Sequence, residues 1–397
     1  MKNTKLHKTL LALTSSALII PQISHSMAIP DKKTFSVRYS NYAEDGISAS
    51  DTVNGGTNEV DRYDVDVLQI GTGFPLTDKL AMSVSLDYET MSGATPWYIV
   101  SDAGTAKVAM TGASVQDERT ELKVTTGYYF PDGKFDFNLG FSTEDDYYAT
   151  IAGLGFAGEL NNKQTTLEAS VTVSADKLQP TPTSRIPSGT LRESDRRKGG
   201  FAIYLGVTQI LNRYTTLQTG VDFGQKTGYL GDPYKLVAIM NGNNPTYRNE
   251  ERPENRSMLS WTTRLRKFFP SMGGTLHLDY RFYDDSWNVT SHTIESAWYH
   301  PLTSTIELIP GIRFYQQNKA SFYDPYFTQG AVGEFYSSDY RLSAFNAVSY
   351  SLGIQKSFKD LKLITSLERY SSSDSNDIAN PALVNFTLLT LGVDYKF

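Results

Sequence analysis

The chain closes on a strict alternation. Leu389, Leu391, Val393, Tyr395 and Phe397 are apolar, while Thr390, Gly392, Asp394 and Lys396 between them are polar or small. An extended backbone points successive side chains to opposite faces, so such a segment has one greasy face and one wet face. The pattern recurs. Phe35, Val37 and Tyr39 alternate with Ser36, Arg38 and Ser40; Tyr63, Val65 and Val67 with Arg62, Asp64 and Asp66; Leu80, Met82, Val84, Leu86 and Tyr88 with Ala81, Ser83, Ser85 and Asp87. Leu122, Val124, Tyr128 and Phe130 stand against Glu121, Lys123 and Thr125, and Phe135, Phe137, Leu139 and Phe141 against Asp136, Asn138 and Gly140. Further runs lie at 167–173, 201–207, 217–223, 276–282, 306–314, 342–354 and 361–367, with weaker ones near 149–157, 257–268 and 290–300.

What joins these runs separates one fold class from another. Short links at 75–79, 131–134, 160–163, 211–214, 270–274, 301–304 and 357–360 interleave with connections at 43–59, 90–117, 144–148, 174–198, 226–255, 284–289, 316–339 and 371–383. Transmembrane barrels alternate short periplasmic turns with longer external loops in this way. The spacing therefore predicts an all-β, transmembrane antiparallel β-barrel of about 16 strands, with about 14 and 18 as the neighbouring counts. The hairpins around 144–148 and 284–289 are the weakest part of that count, because both links are short for the outside. A soluble β-sandwich also has period two. It does not account for the terminal Phe397, the turn-loop alternation, or bulky aromatics such as Tyr88, Tyr128, Phe130, Phe141, Phe314 and Tyr395 near strand ends, where interfacial girdles form.

The other end of the chain fits an exported protein. Lys2, Lys5 and Lys8 precede an apolar stretch from Leu10 to Ile20, then Pro21 and a small-x-small site at Ser26, Met27 and Ala28. Residues 1–28 are expected to be a cleaved signal peptide, with cleavage after Ser26 as the alternative. The apolar stretch is too short for a transmembrane helix, which needs about 20 residues. Residues 29–397 would then form the barrel, with long external loops near 43–59, 90–117, 174–198, 226–255 and 316–339.

Composition excludes several function classes. Lys and Arg number 37 against 43 Asp and Glu, so the net charge is −6, and losing three signal lysines makes the chain more acidic still. A nucleic-acid partner is not expected. With no cysteine there is no disulfide, thiolate metal site, cysteine nucleophile or lipobox. The 25 Tyr and 20 Phe, together with a mean hydropathy of −0.35, fit a wall that is aromatic on one side and wet on the other.

The terminal pattern carried by Gly392, Tyr395 and Phe397 resembles the assembly signal of bacterial outer-membrane barrels. That resemblance implies the outer membrane of a Gram-negative bacterium as the location. The partners it implies are periplasmic chaperones, the β-barrel assembly machinery, outer-membrane lipids and lipopolysaccharide. A second resemblance is to one family. The segment Gly228 to Lys235 (GYLGDPYK), followed by Arg252, Pro253 and Arg256, then Tyr280 to Trp287 (YRFYDDSW) and Ser291-His292-Thr293, is similar to bacterial outer-membrane proteins catalogued as domain of unknown function 3570. It implies an outer-membrane barrel without a settled activity and supplies no catalytic residues.

If the apolar face meets lipid, the charges of the other face line the lumen, since a charge on the lipid face costs about 2 to 4 kcal/mol near the midplane. The lumen candidates are Arg119, Glu121, Lys123, Asp279, Arg281, Glu307 and Arg313, with Arg38, Arg62, Asp64, Asp66, Asp87, Asp136, Glu168, Lys362, Glu368 and Asp394 on the same reading. Their signs are mixed, which suits either an aqueous pore or a lumen filled by ion pairs. The long connection from Lys226 to Asn255 holds Asp232, Tyr234, Lys235, Arg248, Arg252 and Arg256. It either constricts the pore and offers its arginines to an anionic solute, or braces the rim with those arginines paired to Glu250, Glu251 or Glu254. The connection from Ala175 to Lys198 is basic and could bridge lipopolysaccharide phosphates, or simply be a solvated loop.

Catalysis is poorly supported. Ser291 and His292 are adjacent, so on one strand they face opposite ways and cannot form a nucleophile-base pair. The acidic clusters at 144–146 and 284–285 could take a divalent cation but more often are solvated loop charges. No catalytic residue, metal or cofactor is assigned. The expected function is a pore for small polar solutes; a non-transporting envelope anchor or accessory protein is the alternative, and an outer-membrane acyl hydrolase the third reading.

Overall fold

The computed structural model describes residues 28–53, 60–111, 115–180 and 195–397. Residues 1–27 of the expected signal peptide 1–28, and the middle of the basic connection, including Pro182, Arg185, Arg192 and Glu193, lie outside the described residues. The strands are β1 (Thr34–Glu44), β2 (Asp64–Pro75), β3 (Leu80–Gly93), β4 (Pro96–Asp102), β5 (Thr105–Met110), β6 (Val115–Phe130), β7 (Gly133–Thr143), β8 (Tyr147–Leu160), β9 (Thr165–Leu178), β10 (Arg196–Asn212) and β11 (Thr215–Gly228). They continue as β12 (Leu236–Asn241), β13 (Asn244–Asn249), β14 (Asn255–Phe269), β15 (Gly274–Asp285), β16 (Thr290–Pro301), β17 (Ile306–Gln317), β18 (Phe327–Thr328), β19 (Phe345–Ser357), β20 (Leu361–Asp374) and β21 (Phe386–Lys396).

Sixteen of these make one closed antiparallel barrel: β1, β2, β3, then β6 to β11, β14 to β17, and β19 to β21. Closure comes from β1 pairing β21 over Thr34↔Lys396 to Glu44↔Phe386, so neither terminal strand is left with an open edge. The amide of Phe397 donates to the carbonyl of Lys33, and that of Lys33 to Phe397, both at 3.0 Å. The three weak runs are the strands β8, β14 and β16. The doubted hairpins β7–β8 and β15–β16 are also genuine.

Side-chain facing follows the period-two reading around most of the wall. Phe141, Leu154, Leu205, Phe223, Phe314, Tyr350 and Leu367 are exposed on the outside, as a lipid-facing surface requires. β2 departs from it. Register pairs Tyr42 with Val65 and Ser40 with Val67, which turns both valines inward, where they are buried. Asp64 and Asp66 therefore point outward, not into the lumen. The reason is local: at the loop end the lumen is dry, with Tyr42, Val65, Val67 and Met91 packed beside Phe386 and Leu388. Outside, the two carboxylates accept from Asn41 Nδ2 at 2.7 and 3.1 Å, and Asp66 from the Tyr39 hydroxyl at 2.6 Å. Arg62 precedes β2 and belongs to the loops.

Two ends result. One carries only short turns. At the other, the remaining strands fold over the lumen: β4 pairs β5, β12 pairs β13, and β18 runs parallel to β12 at Ile239↔Phe327. Leu236 to Met240 are all buried, and Ala238 and Met240 pack with Val100 of β4. A short 3-10 helix, Tyr340–Leu342, sits among these strands. This loop-end cap has a core of its own, including Ile47, Ile99, Val108 and Ala382 in one cluster and Trp287, Phe322, Tyr323 and Leu342 in another.

Candidate functional site

The lumen has two regions of different character. Toward the turn end lies a cavity of about 1430 Å³, its mouth framed by residues 28–32 and 357–362 and its walls carrying Lys123, Asp136, Glu168 and Arg264. Arg119, Glu121, Lys123, Asp279, Arg281, Glu307 and Arg313 share the register positions of these inward residues. Arg119, Glu121, Lys123 and Asp279 enter ion pairs along the wall. Arg119 Nη2 lies 2.6 Å from Glu89 and 3.4 Å from Glu121; Lys123 Nζ lies 3.1 Å from Glu121 and 3.5 Å from Asp87. Arg266 forks onto Asp279, with Arg264 at 3.7 Å from the same carboxylate, and Arg313 is the register partner of Glu295. These pairs join residues of one strand or of adjacent strands. They run along the wall and do not reach across the barrel.

Glycines shape this surface. Tyr204 lies flat over Gly206 and Gly220, where an added Cβ would come within 2.3 and 2.5 Å of its hydroxyl. Gly392, read from sequence as part of an assembly signal, has an inward role as well: a Cβ there would meet Arg38 Cδ at 2.5 Å.

The cap is built on charge. Asp232, Lys235 and Glu250 from the long β11–β14 connection meet Arg252, and Asp339 and Arg341 from the β17–β19 connection complete the set. Arg252 Nη2 is 2.7 Å from Glu250 Oε1 and 2.8 Å from Asp339 Oδ2. Arg341 Nε donates to both Asp339 oxygens at 2.9 Å, and its Nη2 reaches Asp232 at 3.5 Å. Ser337 donates to Glu250 at 2.6 Å, and the Asp232 amide to the same carboxylate at 2.5 Å. Lys235 donates to the Pro96 carbonyl and lies 5.7 Å from the Tyr340 ring centroid, with Arg62 at 5.8 Å from that ring. Arg62 in turn bonds Glu44 at 2.6 Å, which ties the cap to β1. Tyr234 donates to Asp146 in the β7–β8 link.

Burial sets the titration of these groups. It lowers Lys235 and raises Glu250. Asp339 is pushed up by burial but more strongly down by Arg341, Arg252 and Lys235, and ends well below the usual carboxylate range. Three acids and three bases are thus held together in a dry interior, where removing one partner leaves an uncompensated charge. Nearby, burial and then Asp117 push the Glu144 carboxyl up to about 8.

The motif residues predicted from sequence thus split. Asp232, Lys235 and Arg252 enter one network and Tyr234 joins it to the barrel wall. Arg256 leaves it, pairing with Asp285 and lying 4.2 Å from the Trp287 ring centroid, and Arg248 sits by Tyr336. Asp339, Tyr340 and Arg341 were not singled out from sequence. Ser291 faces inward and His292 outward, as alternation requires; His292 Nδ1 meets the Tyr280 hydroxyl at 2.9 Å, and its register neighbours are Phe282 and Gln316. Among the described residues, no group of three His, Asp or Glu side chains is arranged to hold a metal ion.

A family model described as "Protein of unknown function (DUF3570)" matches residues 10–392. The chain belongs to that family. No curated protein matches it. Among solved structures, a mutant of the ferric enterobactin receptor PfeA from Pseudomonas aeruginosa is similar at 13% identity and a TM-score of 0.46, over 86% of this chain and 54% of that one. The siderophore receptor PirA from Acinetobacter baumannii is similar at 12% identity and a TM-score of 0.45, over 91% of this chain and 57% of that one. A bacterial polysaccharide outer membrane secretin shows 9% identity and a TM-score of 0.49, over 91% and 98% of the two chains. This DUF3570 chain spans little more than half the length of the siderophore receptors it resembles. By fold it is a closed antiparallel β-barrel of the transmembrane kind, with its apolar face turned outward.

Proposed function

We propose that this DUF3570 protein is a conduit for small polar solutes whose lumen is wide and charged at the turn end and narrowed by the ion-paired cap at the loop end. The observation that carries the reading is the cavity of about 1430 Å³ between wall-bound ion pairs. Neutralised but hydrated walls suit small zwitterionic or uncharged polar solutes more than a single ion sign. On this reading residues 1–28 are a signal peptide, the turns face the periplasm, and the loop end faces outward. The β-barrel assembly machinery and periplasmic chaperones act during insertion.

The anchor reading has one observation in its favour, the buried apolar core of the cap over the loop end. Liposome swelling separates the two. Refolded protein should admit small sugars and amino acids and exclude larger oligosaccharides; liposomes that do not swell with any solute would favour the anchor.

A further inference from the structure

The outer wall carries a charge arrangement that folding alone does not call for. Lys177 of β9 and Arg197 of β10 are register partners, and alternation turns both away from the lumen. Like charges directly opposite on a sheet are destabilising. Among the described residues one carboxylate answers them: Asp195 lies 4.0 Å from Lys177 Nζ, at the limit of an ion pair, and also accepts from Gln179 at 3.2 Å. Beside Lys177 in register stands Tyr148, 45% exposed on the same outer face.

The surface beneath is graded. The next outward row is made of Thr150, Ala175, Gly199 and Thr227, all small. Below it stand Val173 and Phe201, then Val171 and Ile203, each exposed as the lipid-facing wall is. Two cations therefore cap a shallow trough that runs down into the apolar band, with Phe141 beside Thr150 on its flank. A soluble anion would gain nothing from the trough. An amphiphile with an anionic head and acyl tails fits both parts.

We infer that Lys177 and Arg197 hold a phosphate of a lipid A-type glycolipid, one acyl chain of which lies along Ala175 and Gly199. Paired cations fit a phosphate through charge-assisted hydrogen bonds, and Arg supplies the fork. The choice of this lipid over a glycerophospholipid rests on the orientation proposed above, with the loop end in the outer leaflet, and on charge, since one phosphomonoester carries close to two negative charges against the two cations, where a phosphodiester carries one.

The test uses refolded full barrel in detergent and measures binding of bisphosphorylated lipid A, dephosphorylated lipid A and phosphatidylglycerol by native mass spectrometry. The Lys177→Ala/Arg197→Ala double variant should bind bisphosphorylated lipid A about tenfold more weakly, as loss of two charge-assisted contacts implies. The Lys267→Ala/Lys356→Ala variant, which removes equal charge from the outer face at the turn end, should bind as the parent does. Equal binding by parent and the Lys177→Ala/Arg197→Ala variant overturns the site. Equal binding of lipid A and phosphatidylglycerol by the parent overturns the lipid assigned to it. Detergent binding does not depend on orientation, which is read separately: a cysteine placed at Asp324 of this cysteine-free chain should label from outside intact cells, and labelling only after lysis would overturn the proposed orientation while leaving the site to the binding result.

Discussion

Arg38 crosses the closing seam of the barrel to Asp394, Nη2 to Oδ1 at 2.6 Å, through space that Gly392 leaves empty. The last strand is therefore fixed to the first by an inward ion pair as well as by the backbone ladder. Gly392→Val should push the guanidinium off Asp394 and cost about 1 to 3 kcal/mol, the usual range for overpacking. Thermal unfolding of the refolded barrel would show it as a lower midpoint. Adding Arg38→Ala to that variant should recover part of the loss, because the clash is gone; an additive double variant would show that the two positions are not coupled.

Facing is testable in β3. Val84 shares the outward face with Leu86 and Tyr88, and Ser83 the inward face with Asp87. Val84→Arg should lower the folded, heat-modifiable fraction on a gel far more than Ser83→Arg, by the equivalent of about 2 to 4 kcal/mol near the midplane. Equal losses would mean that the wall is not immersed as described.

The cap should fail when its network is broken. Arg252→Gln leaves the buried Glu250 without its ion-pair partner, although Arg341 still holds Asp339, and losing one partner of such a group costs about 3 to 5 kcal/mol. Limited proteolysis should then cut within 226–255 while the barrel stays folded. Protection equal to that of the parent would show that the network does not hold the cap.

Cap stability should also depend on pH, and Glu144 sets the direction. Its carboxyl ionises at the ordinary value of 4.5 when unfolded and at about 8 in the folded protein. The stability it contributes is complete below about 4.5 and lost as pH rises through 8. Asp339, held low by its cations, works the other way and loses its contribution in strong acid. Hydrogen exchange of the cap amides should therefore quicken between about pH 5 and 8 beyond the intrinsic rate, and Glu144→Gln should flatten that rise. An unchanged slope in Glu144→Gln would exclude this role.

The barrel was legible because period two and turn spacing are local signals. β8, β14 and β16 read weakly for physical reasons: Gly153 and Gly155 leave the inward face of β8 blank, Thr263 and Lys267 interrupt the outward face of β14, and His292 and Ser296 that of β16. The inverted facing at Asp64 and Asp66 arose because both faces of β2 change partner there, the inside meeting the dry cap and the outside meeting Asn41 and Tyr39. The cap itself was hidden. GYLGDPYK showed that the connection has a shape, but the partners of Arg252 and Asp232, Asp339 and Arg341, lie 87 and 109 residues away, and no local pattern joins them.

Single-channel conductance in a planar bilayer tests the central claim most directly, comparing the parent with a variant in which Leu236–Asn249, the β12–β13 hairpin, is replaced by a short Gly-Ser link. A charged aqueous lumen narrowed by a loop-end cap predicts small, discrete conductance steps for the parent and several-fold larger steps for the variant. No conductance from either protein, each inserted and heat-modifiable, would contradict it.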